Sequence, residues 1–182
     1  LRADAQRNRE RLLAAAEEVF LERGAEASME DVAKRAGVGI GTLYRRFPTR
    51  EALLAAAYSE RFLSLAAASH TRASTLDPLA ALRAYLEELV VHTSVYRGLA
   101  ASLGAMLQSG TPGCDATSKE GRRLLRFAQK SGVVRRDVTF DDLVVVAIAT
   151  SLATEQLGSP KTRIAHVIGL FLDGIGSCKR QA

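Results

Sequence analysis

The chain has 182 residues, 47% of them apolar and 25% charged, with 25 basic and 20 acidic side chains and a net charge of +5. That is an ordinary globular composition, long enough for a sizeable core and far from the polar, low-hydrophobicity signature of a disordered chain. A net positive balance is compatible with a polyanionic partner without demonstrating one, because residues 1–50 hold ten basic against eight acidic side chains and are nearly balanced. With only Cys114 and Cys178, no disulfide framework is expected and a reducing cytoplasm suits the chain.

Helical periodicity runs through the whole sequence, with no convincing strand alternation, which predicts an all-α fold. The first helix is expected over Arg7 to Arg23, closed by Gly24, with Leu12, Leu13, Ala16, Val19 and Phe20 on one face. Ser28 and Asp31 form a capping box that opens a second helix, and Gly37 supplies the left-handed residue that closes it. A third, short helix starts near Gly39 or Ile40 and packs through Val38 and Leu43, leaving Thr42, Tyr44, Arg45 and Arg46 on its other faces. Two short helices around a glycine turn form a helix-turn-helix pattern, and from Gly39 to Arg50 the chain carries Arg45, Arg46 and Arg50 but no acid. A helix of this size fits the major groove, where hydroxyl and guanidinium groups reach phosphates and base edges. The Tyr44 ring has two readings, as part of the small domain's core or as part of the DNA-facing surface.

Thr49 is expected to open a long fourth helix reaching about His70, followed by a polar stretch to Asp77. Asp77-Pro78 is an N-cap and first-turn pair for helix five, whose buried stripe is Leu79, Leu82, Leu86, Leu89, Val90 and Thr93. Helix six is expected around Val95 to Gln108, a breaker cluster at Ser109 to Gly113, helix seven from about Ser118 to Lys130, helix eight after a second capping box at Thr139 to Asp142, and helix nine from Ser159-Pro160. Helix eight is apolar almost all round at Leu143, Val144, Val145, Val146, Ala147, Ile148 and Leu152. With Ile164, Val167, Ile168, Phe171, Leu172 and Ile175 of helix nine, this exceeds one core-facing stripe and predicts a homodimer through helices eight and nine. A thick monomeric core is the alternative. The longest apolar run is far shorter than the roughly 20 residues a membrane span needs, no secretory segment stands near Leu1, and a basic N-terminal arm is expected to precede that residue.

The run from Arg9 to Ala57, with RLLAAAEEVFLERG, DVAKRAGVGIGTLYRRF and TREALLAA in order, resembles the DNA-binding domain of the TetR family of transcriptional regulators. The resemblance implies a helix-turn-helix domain over residues 1–48, a connecting helix and linker over 49–76, and a ligand-binding and dimerisation domain over 77–182. It implies a double-stranded DNA operator as partner, with Ser28 capping against a phosphate, Thr42 and Tyr44 on phosphate or base, and Arg50, where the family usually has lysine, clamping the backbone. Gly39, Ile40 and Gly41 depart from the amides and charges used for direct readout, so discrimination is left to Thr42, Tyr44, Arg45, Lys34 or DNA shape, with Ile40 able to touch a thymine methyl.

It also implies a small-molecule effector in the body, with Tyr85, Leu89, His92, Tyr96, Met106, Gln108, Phe127, Thr150 and Thr154 as a mostly apolar lining and repression as the usual outcome. Ordinary packing is the competing reading for each of the nine. The few charges in the apolar helices favour a neutral or hydrophobic compound. No enzymatic constellation is expected: there is no Walker loop, no G-x-S-x-G and no zinc spacing, His70, His92 and His166 stand isolated, and Glu88 with His92 would need outside help to hold a metal. No cofactor is implied. Cys114 reads as an inert thiol, or less readily as a loop-exposed redox sensor. The competing functional class is a helical ligand-binding or protein-interaction dimer without sequence-specific DNA binding.

Overall fold

The computed structural model describes residues 2–94, 97–157 and 161–176. Among these the chain forms ten helices: α1 (Arg2–Arg23), α2 (Met29–Ala36), α3 (Ile40–Arg46), α4 (Arg50–Ala57), α5 (Ser59–Arg72), α6 (Pro78–Ser94), α7 (Leu99–Leu107), α8 (Pro112–Lys130), α9 (Phe140–Leu157) and α10 (Lys161–Ile175). The all-α expectation holds. α1 to α4 make the head, and α5 to α10 make the body, with α5 lying along α8, α6 against α8, α9 and α10, and α7 between α4 and α9.

Local punctuation follows the expected chemistry. The Ser28 Oγ accepts from the Asp31 amide at 3.0 Å, the Thr49 Oγ1 accepts from the Ala52 amide at 3.1 Å, and Thr139 and Asp142 cap each other reciprocally, at 3.2 Å and 2.8 Å. Gly37 ends α2 at φ 65° and ψ 35°, its N–H turned back to Ala33 and Lys34. The head core is built from Leu12, Ala16, Val19, Phe20, Val32, Leu43, Leu53 and Leu54, all but closed to solvent. Leu43 is the one fully buried residue of α3, so a single leucine sets which face of that helix turns outward.

The expected fourth helix is two helices. Tyr58, at φ −95° and ψ 4°, interrupts it, and the cause lies in the body rather than in a local breaker. The Gly113 N–H donates to the Ser59 Oγ at 3.0 Å, and a Cβ at Gly113 would overlap the Ser59 backbone, so the first turn of α8 is seated on the kink. This also revises the expected breaker cluster: Pro112 stands in the first turn of α8, where its missing N–H costs nothing, and the helix starts there rather than near Ser118. α1 starts at Arg2 rather than Arg7, and the sixth expected helix corresponds to α7, which starts at Leu99. The expected helices eight and nine are α9 and α10; Ser159-Pro160 lies outside the described residues.

No helix among the described residues is long and apolar enough to cross a membrane.

Candidate nucleic-acid interface and effector clefts

α3 presents the sequence-predicted contact residues on one outer surface. Ile40 is 37% and Tyr44 44% exposed, Arg45 and Arg46 are exposed, Thr42 is half-buried, and Lys34 is exposed on the neighbouring α2. The Tyr44 ring therefore stands outside the core, which removes one of its two readings. Arg45 folds over Thr42, its Nη2 donating to Oγ1 at 3.2 Å. Gly39 and Gly41 have ordinary backbone angles, and a Cβ at either would meet no atom within 4 Å. Neither packing nor backbone geometry asks for glycine there, and the result is a bare strip at the start of α3.

Charge around this surface is sorted. Acids of α1 and α2 engage Arg23 and Arg35 of the head and Arg61 of α5. Arg35 grips Glu22 with two bonds of 3.1 and 2.7 Å and reaches Glu18 at 3.2 Å; Arg61 bonds Glu17 at 3.0 Å; Arg23 bonds Asp31 at 2.7 Å. Asp31 is held below the usual carboxylate range by its hydrogen bonds from Ser28 and Arg23, and Glu22 likewise by Arg35. Lys34, Arg45 and Arg46 form no ion pair among the described residues, so the uncompensated positive charge sits at the outer surface. Arg50, expected to clamp the DNA backbone, is paired within the head: its Nη1 donates to Glu26 Oε2 at 3.0 Å. Nothing in residue order announces a pairing across 24 positions, and Glu26 was missed.

Head and body meet at two turns. The Ala25 N–H donates to the Arg97 carbonyl at 2.8 Å, Arg97 Nη2 donates to the Arg23 carbonyl at 3.3 Å, and the Gly98 N–H donates to Glu155 Oε2 of α9 at 3.0 Å. Gly24, at φ 86°, lies so close to the Arg97 carbonyl that a side chain there would strike it. Gly24 was read from the sequence only as the end of the first helix, and Ala25, Arg97, Gly98 and Glu155 were not singled out.

The nine expected effector residues do not gather around one cleft. Tyr85, Leu89 and Met106 are closed in the core; the Tyr85 hydroxyl donates to the Thr117 carbonyl at 3.0 Å, and burial pushes its pKa upward. His92 is half-buried, and burial pushes its imidazole below the ordinary value; Phe127 is exposed, and Tyr96 lies outside the described residues. Gln108 lines a cleft of about 340 Å³ between α7, α8 and α9, together with Gly104, Ser118, Arg122, Phe140 and Ile148. Arg122 stacks over the Phe140 ring there, 4.5 Å from its centroid. Thr150 and Thr154 line a second cleft of about 250 Å³ between α9 and α10. Arg122 was missed because a basic run on α8 reads as a solvated face, and Phe140, at the start of α9, because nothing local pairs it with Arg122.

Two alternatives raised from the sequence also meet the geometry. Glu88 is held by a two-bond grip from Arg72, both bonds 2.6 Å, rather than offered to a metal with His92. Cys114 is not in a loop but buried in the first turn of α8, where burial pushes its thiol pKa up and away from reactivity.

Comparison with known proteins agrees with this geometry. Residues 12–57 match the family model of bacterial regulatory proteins of the tetR family, and residues 77–177 match the model of the transcriptional regulator SbtR-like C-terminal domain. An HTH-type transcriptional regulator of Staphylococcus aureus (strain USA300) is 44% identical over 54 residues, and that match spans 29% of this chain and 29% of the curated relative's length. The crystal structure of a TetR transcriptional regulator from Streptomyces coelicolor is 32% identical, with a TM-score of 0.55 over 93% of this chain and 99% of that one. The fold is also that of RolR, crystallised with resorcinol (24% identity, TM-score 0.68, 98% and 92% covered). It is shared by Thermus thermophilus FadR, crystallised with lauroyl-CoA (22% identity, TM-score 0.62, 90% and 92% covered).

Proposed function

The chain belongs to the TetR family of transcriptional regulators, a non-enzymatic, DNA-binding class, and from that premise we propose that it is a homodimeric cytoplasmic repressor released from a palindromic operator by a small, mainly apolar effector. The observation that carries the reading is the outer surface of α3. Tyr44, Arg45 and Arg46 stand exposed there, and no acid occurs between Gly39 and Arg50. Phosphate contacts from Arg45, Arg46 and Arg50 give affinity on any sequence, Ser28 and Lys34 flank the same surface, and Ile40, Thr42 and Tyr44 are left to read base edges. With its bare glycine strip, Gly41 beside Ile40, α3 is suited to close backbone approach and to shape readout.

Dimerisation through α9 and α10 is supported by the apolar surface these helices leave outside the core, with Val145 63%, Leu157 69% and Leu170 60% exposed. A two-fold dimer sets its recognition helices about 34–36 Å apart, one helical turn of DNA. The effector site we assign is the cleft between α7, α8 and α9, where Gly104, Leu107, Val144 and Ile148 supply apolar wall and Gln108, Ser118 and Arg122 supply anchors. α7 packs against both α9 and α4, so a molecule wedged behind α7 biases α4 and with it the separation of the two heads.

The test is a fluorescence-anisotropy titration with DNA from upstream of the protein's own and adjacent genes, against scrambled competitor at physiological salt. Tight, competitor-resistant binding of two subunits is expected. Weak binding that scrambled DNA removes equally well, across genome-wide fragments, refutes the operator reading and favours a helical interaction dimer.

A further inference from the structure

The pairing of Arg50 with Glu26 is looser than the grip of Arg35 on Glu22. Arg35 holds Glu22 through two parallel bonds, whereas Arg50 gives Glu26 a single bond from Nη1, and its Nε is buried with no acceptor. Both side chains reach solvent, Arg50 at 34% and Glu26 at 72% exposure. A one-bond, solvent-facing pair is easily exchanged, and a phosphate oxygen is a stronger partner for a guanidinium than a lone carboxylate oxygen. Yet Glu26 is not simply a wandering surface acid. Its turn is fixed by the Ala25 N–H on the Arg97 carbonyl and by the Ala27 N–H on the Gly24 carbonyl at 3.1 Å, and its Cγ lies against Gly98. The body thus holds an acid beside the residue at the start of α4.

We infer that Glu26 is a built-in competitor for DNA phosphate at Arg50. In the DNA-free protein its carboxylate occupies the guanidinium; on DNA the phosphate displaces it, so Glu26 holds affinity down and reduces the net gain from the Arg50 contact. This rests on the DNA-binding reading above. It gives the body a second route to the head besides α4, because the Arg97–Gly98 turn that positions Glu26 is braced by Glu155 of α9. It also gives Arg50 a role distinct from Arg45 and Arg46, which have no acid to leave.

A phosphate contact acts on every sequence, so a labelled scrambled duplex and a labelled upstream duplex both serve as probes for the full-length protein. Glu26→Gln is expected to bind both about threefold tighter per subunit, the scale of an exposed ion pair, with its helical circular dichroism retained. In an Arg50→Ala background the same substitution is expected to change nothing, since the double-mutant cycle isolates the pair. An equal gain in both backgrounds overturns the inference in favour of general repulsion between Glu26 and DNA, and no gain in either overturns it outright. Glu26→Ala repeats the cycle with the side chain removed. If Arg50→Ala alone leaves affinity and salt dependence untouched, Arg50 is off the interface and the inference fails with it; if no duplex binds at all, the DNA-binding reading itself fails.

Discussion

Gly41 separates the demands of folding from those of DNA binding. It is the second residue of α3, has ordinary helical backbone, and a Cβ there would meet nothing within 4 Å. Replacing it with Ala removes backbone freedom from the unfolded chain at no steric cost, a gain of about 0.5–1 kcal/mol. In a chain of 182 residues that raises the melting temperature by about 1–4 °C. If the bare strip lies against the groove, the same methyl holds α3 away from the bases, at a cost comparable to one lost base contact, about 1–3 kcal/mol or roughly 5- to 150-fold in Kd per half-site. Gly41→Ala is therefore expected to be more stable by scanning fluorimetry and weaker by anisotropy on its operator duplex. A variant that melts higher and binds unchanged refutes the placement of this strip at the DNA.

Other substitutions test the remaining parts. Arg45→Ala should weaken binding on all duplexes and flatten the plot of log K against log salt by about one unit per half-site, with Arg50→Ala flattening it less because that arginine must leave Glu26; an unchanged slope removes either from the interface. Val145→Glu with Leu170→Glu places charges on an apolar surface the single chain leaves open, so light scattering should report a monomer that keeps its helical circular dichroism, and a persistent dimer puts the interface elsewhere. At Glu120, burial pushes the carboxyl up, but hydrogen bonds from Arg123 and His70 and their charges outweigh it and hold the group below its ordinary value of 4.5. Its contribution is then complete above that value and lost as pH falls through the lower folded value. Urea midpoints measured downward from about pH 6 should fall less steeply in Glu120→Gln than in the native chain, and parallel curves refute the assignment.

What could be read from residue order is what is decided within a turn or two of helix. Ser28, Gly37, Thr49 and Thr139 act on neighbours three or four residues away, so the boundaries they set follow from local chemistry. The break at Tyr58 has no such signal, because it is made by α8 arriving more than fifty residues later to seat Gly113 on Ser59. Pro112 looked like a breaker because proline stops a helix and starts one with equal ease, and only the packing of the first turn of α8 tells which. The expected effector lining is scattered for a related reason. Helical periodicity tells which residues share a face and not which neighbour that face meets, so Tyr85 and Met106 went to the core and Gln108 and Thr150 to different clefts.

The same distinction bears on how the body can govern the head. The long fourth helix expected from the sequence would act as a single lever, but the kink at Tyr58 divides it into α4 and α5, and α5 is committed to α8 through Thr117 Oγ1 on the Phe62 carbonyl and through the Ser69 hydroxyl on the Glu120 carboxylate. A lever broken in the middle transmits less than a straight rod, unless what seats the kink moves too. The second joint avoids this difficulty: Glu155 on α9 holds Gly98, Arg97 holds Ala25, and Glu26 holds Arg50 at the start of α4. α9 lines both clefts, so a molecule in the proposed effector cleft acts on a helix that is two hydrogen bonds from the α1–α2 turn. Glu155→Ala cuts that joint without touching the kink or α3. Amide exchange in residues 24–28 should accelerate while that of α5 stays as it was, and equal acceleration in both would return the coupling to α4.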